Sequence, residues 1–308
     1  MGSQLLQKLW TMTTELLSVR ALVLEGTQCL AQTSESPRLD AEILLAFVRG
    51  CDRLKLLVDT HEFVSAQQAH TFRQMLTRRS RHEPVAYIVG KKEFFGREFL
   101  VTPAVLIPRP DTELLVEETL RRTAQLTKVR VLDLGTGSGC IIISLVAEMK
   151  KRGQKVQAVA VDLSGPALAV AAENAKHLGV AQDITFLSSN WTAAVQSTFD
   201  VVVSNPPYIE IEAANISPEL QHEPQSALYS GSIGLDDIRQ LILEVPRVLE
   251  PRGLFLCETG AGQHAALAKI YEQTRQNTAQ AGAWASSEWL CDLAGNERLM
   301  VLRRGERA

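Results

Sequence analysis

The chain has 308 residues, 45% hydrophobic and 22% charged, values ordinary for a soluble globular protein with one large domain and a small one. No apolar run approaches the roughly 20 residues that a membrane-spanning helix needs; Cys140 to Ala147 is among the longest. The net charge of −3 is uneven: residues 1–110 carry 14 Lys/Arg against 11 Asp/Glu, whereas residues 111–308 carry 18 against 24, a balance that argues against stable binding to nucleic-acid phosphates.

The N-terminus carries little targeting signal. Leu6 stands where a myristoylation signal has Ser or Thr, and Lys8 is the single cation of the first 14 residues, too few for a transit peptide. The five cysteines (Cys29, Cys51, Cys140, Cys257, Cys291) lack metal-ligand and CxxC spacing. They read as reduced thiols acting as small buried hydrophobes in a cytoplasmic protein.

Residues 1–84 read as a helical domain. Leu5, Leu6, Leu9, Met12, Leu16 and Leu17 recur at helical spacing, and Leu39, Ile43, Leu44, Phe47 and Val48 repeat the pattern after Pro37. Ser65 is a favoured N-cap for a third helix over Ala66 to Arg81. The tail of that helix holds Arg73, Arg78, Arg79 and Arg81, either a solvated face or a partner-binding patch. Residues 85–110 form a linker: Tyr87 to Val89 and Glu93 to Val101 read as short strands around glycine turns, and Pro108 and Pro110 hold off any helix until Asp111.

From residue 111 to 308 strands alternate with helices. Val129–Leu134, Val156–Val161, Ile184–Leu187, Val201–Val203 and Leu254–Cys257 are strand candidates, a pattern that predicts a parallel sheet with helices on both faces. Ala283 to Leu290 and Arg298 to Arg303 flank Gly295-Asn296 and predict a closing antiparallel hairpin.

Val131-Leu132-Asp133-Leu134-Gly135-Thr136-Gly137-Ser138-Gly139-Cys140 joins a buried strand to a helix through a glycine-rich turn that lets backbone approach a ligand. Asp162, at the end of the next strand, is placed to accept hydrogen bonds from two ribose hydroxyls. The spacing is GxGxG, not the GxGxxG of dinucleotide binding, and Asp133 precedes it, in reach of the charged amino-acid end of S-adenosyl-L-methionine. A dehydrogenase is correspondingly disfavoured.

Asn205-Pro206-Pro207-Tyr208 follows the strand Val201–Val203, where open α/β sheets bind ligands. The prolines remove two backbone donors and stiffen the turn. The Asn205 side-chain oxygen and the Pro206 carbonyl then suit the two hydrogens of a planar NH₂ group, with Tyr208 as a wall. Acceptors on those hydrogens favour the form whose lone pair attacks a sulfonium methyl, so neither a metal nor a covalent nucleophile is required. These residues fit an amide nitrogen or an aminopurine equally.

With these motifs in this order the chain resembles the release-factor glutamine methyltransferases (the HemK/PrmC family). Arg81 to Gly90, Ile107-Pro108-Arg109-Pro110-Asp111-Thr112-Glu113 and Gly295-Asn296-Glu297-Arg298 are similar to that family's linker, gate and C-terminal segments, and the likeness runs from about Arg38 to the end. It implies a Rossmann-like class I methyltransferase fold with a seven-stranded, mostly parallel sheet, preceded by a small N-terminal helical domain and a β-hairpin linker. It also implies that Gly135, Thr136, Gly137, Ser138 and Gly139 cradle S-adenosyl-L-methionine, that Asp162 holds its ribose and that Trp191 lies near its adenine, with S-adenosyl-L-homocysteine as product. Asn190 stands where the family usually has an acid, and Tyr229-Ser230-Gly231 where it more often has Asp-Gly-Gly. Asn205, Pro206, Pro207, Tyr208 and Arg109 would hold the glutamine of the Gly-Gly-Gln loop of peptide-chain release factors. The helical domain would dock the factor through its arginines, and a monomer is expected. The alternatives are an adenine-N6 methyltransferase acting on DNA or RNA, which needs a similar pocket for a flipped base, and a non-catalytic module that keeps only the fold.

Overall fold

The computed structural model describes residues 17–213, 216–276 and 283–306, so most of the first expected helix, Leu5 to Leu16, lies outside the described residues. The chain forms two compact units that meet in sequence between Val89 and Gly90.

The first unit contains helices α1 (Val19–Leu30), α2 (Pro37–Arg49), α3 (Arg53–Val58), α4 (Ala66–Arg79) and α5 (Val85–Val89), with a two-residue antiparallel pairing of β1 (Leu17–Ser18) and β2 (Phe63–Val64). Local chemistry sets the helix ends. Ser18 caps α1, Pro37 opens α2, and Ser65 and Gln68 form a reciprocal capping box on α4. Leu22, Leu44, Leu45, Phe72 and Leu76 fill the core. Gly26 lets α1 approach its neighbours, since a Cβ there would lie 2.8 Å from both Ala41 Cβ and Phe72 Cζ.

The arginine tail of α4 is largely occupied within the unit. Arg73 pairs with Glu25, Arg78 with Glu83, and buried Arg79 with buried Asp40 at 2.7 Å. Tyr87 to Val89 are helical rather than extended. The Pro84 carbonyl accepts from the Tyr87 and Ile88 amides, and burial of Tyr87 and Ile88 overrides the strand preference of the β-branched residues.

The second unit opens with a hairpin of β3 (Lys91–Phe94) and β4 (Arg97–Leu100), whose turn residues Phe95 and Gly96 both have positive φ. Phe94 and Phe99 meet edge to face at 6.1 Å inside one core cluster. Strands β5 (Lys128–Leu134), β6 (Lys155–Asp162), β7 (Ile184–Ser188), β8 (Phe199–Ser204), β9 (Leu249–Glu258), β10 (Trp284–Cys291) and β11 (Glu297–Arg304) form one sheet, ordered β10-β11-β9-β8-β5-β6-β7. Pairings among β5 to β9 are parallel; β10 and β11 close the edge antiparallel.

Alternate residues of the central strands enter two cores. Val129, Val131, Val201 and Val203 pack with α6 (Glu113–Arg122), α7 (Cys140–Lys151) and α8 (Gly165–His177). Leu132, Leu134 and Val202 pack with α9 (Asp236–Glu244) and α10 (His264–Gln276). This two-sided burial explains the continuous apolar runs of the strands. Of the five cysteines only Cys140 and Cys257 are buried; Cys29 and Cys51 are half-buried and Cys291 is exposed, because its β10 side chain lies on an edge strand. Among the described residues no helix is long and apolar enough to cross a membrane.

Candidate active site

Strand β5 pairs with β6 on one side and β8 on the other, so the chain direction of the crossovers reverses there. A crevice opens outside the carboxyl ends of the strands at such a switch point. Here it is a cavity of about 300 Å³, lined by the glycine-rich loop, the ends of β6 and β7, the segment before α6, and Asn205 and Pro207.

The loop's shape needs its glycines. Gly135, Gly137 and Gly139 all have positive φ, and a Cβ on Gly139 would lie 2.8 Å from Ile143 Cδ1 and 3.2 Å from Ala171 Cβ. The Val161 carbonyl accepts from both the Gly135 and Thr136 amides at 2.9 Å. Asn174 on α8 binds the Ser138 carbonyl and both backbone groups of Leu100, joining the loop to β4.

Asp162 accepts from the Gly137 amide at 2.9 Å and the Ser164 amide at 2.8 Å. A carboxylate offers about four acceptor positions, so capacity remains toward the cavity. Asp133 is placed differently from the expectation. It is fully buried beneath the loop, outside the cavity lining, with Oδ2 accepting from the Thr136 hydroxyl at 2.7 Å and Oδ1 without a hydrogen-bond partner among the described residues.

Trp191 takes the left-handed region at φ 44°, and its indole Nε1 donates to Asp237 Oδ1 at 3.2 Å. The ring closes over Gly135, where a Cβ would meet it at 3.2 Å. The Asp237 amide in turn donates to Ser230 Oγ at 2.8 Å. Gly231 beside it has φ 68° and no room for a Cβ against Asp236, so the Tyr229-Ser230-Gly231 loop supports the tryptophan's partner. Asn190 is exposed and lines the cavity.

Asn205 Nδ2 donates to Thr112 Oγ1 at 3.1 Å, leaving Oδ1 without a protein partner among the described residues. Tyr208 donates to Glu258 Oε1 at 3.2 Å, and neither Tyr208 nor Pro206 lines the cavity. Burial and the negative Glu258 push the Tyr208 phenol up, so it stays protonated. Arg109 lines the cavity and pairs with buried Glu223 at 2.5 Å; the other Glu223 oxygen accepts from the Ile107 amide at 3.0 Å. Arg298 bridges to Asp111 at 3.4 Å.

The cavity therefore gathers Gly135, Thr136, Gly137, Ser138, Asp162, Trp191, Asn205, Pro207 and Arg109, while Asp133, Gly139, Pro206 and Tyr208 stand behind its wall. Thr112, Glu223, Asp237 and Glu258 were not anticipated individually. Glu258 had a readable signal, an acid ending an apolar strand beside the one that precedes Asn205; Asp237 looks like an ordinary acid in a helix's first turn.

Residues 21–90 match the PrmC N-terminal domain and residues 126–304 match a methyltransferase domain. The release factor glutamine methyltransferase of Nitratidesulfovibrio vulgaris is 39% identical over 274 residues, covering 88% of this chain and 89% of the relative. That of Cereibacter sphaeroides is 40% identical, covering 86% and 90%. That of Salmonella typhimurium is 37% identical, covering 86% and 92%. The chain belongs to the release factor glutamine methyltransferase family. Among solved structures the hMettl16 catalytic domain, in complex with a 3′UTR hairpin, aligns with a TM-score of 0.53 at 15% identity over 79% of this chain and 84% of that one, which bears on the fold alone.

For this release factor glutamine methyltransferase family member, buried Asp133 predicts a pH signature. Desolvation pushes its carboxyl up to about 7, with nearby Asp162 adding to the rise and the Thr136 hydroxyl opposing it. The folded state therefore holds a proton that the unfolded chain has released by pH 5. Stability from this group is present at low pH and is lost as pH rises through about 7. Asp133→Asn is expected to remove about 3 kcal/mol of stability loss between pH 5 and 8. Urea midpoints across that range check it; parallel curves for both proteins would remove Asp133 as the cause.

Proposed function

We propose that the chain transfers a methyl group from S-adenosyl-L-methionine to the side-chain amide nitrogen (N5) of the glutamine in the Gly-Gly-Gln loop of peptide-chain release factors. The observation that carries this reading is Asn205, whose amide end is engaged by Thr112 and whose oxygen is unpartnered beside the glycine-rich loop. When bound, S-adenosyl-L-methionine supplies an electrophilic sulfonium methyl. The chain's own groups do the rest.

Asn205 Oδ1 accepts a hydrogen of the glutamine amide and holds the nitrogen's lone pair toward the cavity. Pro207 and Tyr208 stiffen this corner, and Arg109 steadies the substrate side of the cavity. The cavity fits a nucleoside donor: Gly135 and Gly137 present backbone without a Cβ, Asp162 retains acceptor capacity for ribose, and Trp191 offers a flat wall for adenine. Buried Asp133 acts from behind the loop, through Thr136, on the amino-acid end.

The domain reading is residues 1–84 for docking the factor, 85–110 as linker and 111–308 for methyl transfer. The enzyme acts as a cytoplasmic monomer. The test is transfer of labelled methyl from S-adenosyl-L-methionine to a release factor, to its Gly-Gly-Ala loop variant, and to an adenine-rich oligonucleotide. Label is expected on the factor alone; label on the oligonucleotide alone would overturn the reading in favour of adenine-N6 chemistry.

A further inference from the structure

Two acids line the cavity, Asp162 and Asp237, and the ribose accounts for only the first. Asp236 and Asp237 open α9 side by side. Asp236 packs against Gly231, whereas Asp237 lines the cavity. Asp237 is half-buried and held at two points. Its amide donates to buried Ser230 Oγ at 2.8 Å, and its Oδ1 accepts from the Trp191 indole at 3.2 Å. Its Oδ2 accepts from no donor among the described residues.

The tryptophan ring fixes where along the cavity this carboxylate stands. An indole N–H donates from the pyrrole end of the ring, so Asp237 lies at that edge. The ring atoms nearest the glycine loop are Cζ3 and Cη2, at the opposite, benzene end, 3.2 and 3.6 Å from where a Gly135 Cβ would sit. The ring thus runs from the loop read as facing the amino-acid end of the methyl donor to Asp237 at its far edge. A flat base laid along that wall meets Asp237 edge-on.

Adenine has one group with N–H hydrogens to give there, its 6-amino group. The ring nitrogens at its edges are acceptors, which a carboxylate repels. A carboxylate only accepts, so it favours a 6-amino purine and rejects a 6-oxo purine. Asn190 also lines the cavity, but it is exposed, and no hydrogen bond among the described residues fixes which end of its side chain faces inward. A carboxamide accepts from an amino group or donates to an oxo group, so it does not distinguish the two bases.

We propose that Asp237 selects adenine in the methyl donor, accepting a hydrogen of the 6-amino group through Oδ2 while Oδ1 holds the tryptophan wall. This assignment rests on the reading of the cavity as the site for S-adenosyl-L-methionine.

The test is calorimetric binding of S-adenosyl-L-homocysteine and S-inosyl-L-homocysteine to the full chain and to its Asp237→Asn and Asn190→Ala variants. The wild type should prefer the adenine compound by about 10- to 100-fold, the range of one hydrogen bond to a charged group. Asp237→Asn keeps an oxygen for the Trp191 indole and turns an NH₂ group toward the base, so the preference should fall to within about 3-fold or reverse. The Trp191 indole N–H signal, assigned with Trp191→Phe among the four ¹⁵N-labelled tryptophans, should stay near its wild-type position in Asp237→Asn, with the wall intact. 5′-Methylthioadenosine, which has the base and no amino-acid end, should lose affinity in Asp237→Asn by about the same factor as S-adenosyl-L-homocysteine. Equal losses for the two homocysteine compounds, or none, reduce Asp237 to a support for the tryptophan and overturn the proposal. A loss absent with 5′-methylthioadenosine places the carboxylate at the donor's ammonium group and overturns it too. So does a preference missing in the wild type, or one that collapses in Asn190→Ala instead. The preference behaving as described, with no methyl transfer to a release factor, overturns the substrate reading and leaves adenine selection standing.

Discussion

Asn205→Ala is expected to lower turnover on a release factor by at least about 100-fold, the scale seen when one preorganised partner of a transition state is removed. The reason is electronic. An amide nitrogen's lone pair is delocalised into the carbonyl, and it becomes available only as acceptors draw on the attached hydrogens. Asn205 Oδ1 is a side-chain acceptor at the end of β8 with no protein donor among the described residues, since its other end, Nδ2, takes up Thr112. Methyl-donor affinity, measured by calorimetry, should change much less, because the glycine loop and Asp162 hold their geometry through backbone bonds that do not involve Asn205. A variant with turnover within about 5-fold of wild type would remove Asn205 from the transition state.

Arg79→Met is expected to destabilise the helical unit by about 3–5 kcal/mol, because it strands Asp40 as an uncompensated buried charge. The side chains of Arg79 and Asp40 are only 4% and 8% exposed, and Asp40 also accepts from the Ser34 and Ser36 hydroxyls. Arg73→Met and Arg78→Met break pairs that are open to solvent, and each should cost no more than about 1 kcal/mol. Urea unfolding followed by circular dichroism separates the two cases; equal midpoints for all three variants would refute the ranking. The same contrast bears on docking. Reversing every arginine of α4 mixes misfolding with lost binding, whereas Arg78→Glu tests the surface alone.

The order of strands, the glycine loop and the Asn205 corner were legible because each is written in adjacent residues. A parallel strand buried on both faces is a continuous apolar run, and a turn that needs positive φ at Gly135, Gly137 and Gly139 leaves three glycines in five positions. The closing hairpin was readable from Gly295-Asn296 between two apolar segments. The stretch Tyr87 to Val89 was not, since strand propensity and burial point in opposite directions there and burial decided.

The sequence by itself determined the fold class, the family and the two local segments that border the cavity, the glycine loop and the Asn205 corner, because backbone conformation and strand burial are local or periodic demands. Only the tertiary structure decided which side chains join them at the cavity, Thr112 and Asp237 among them, and which expected ones stand behind its wall. Thr112 and Asn205 are 93 positions apart, Tyr208 and Glu258 are 50 apart, and Trp191 and Asp237 are 46 apart, so each bond is set by strand order and crossover length. Those separations leave no periodic trace in a single chain. The same reason hid the state of the basic tail, where Arg79 looks like its neighbours in sequence and is distinguished by a carboxylate 39 residues away.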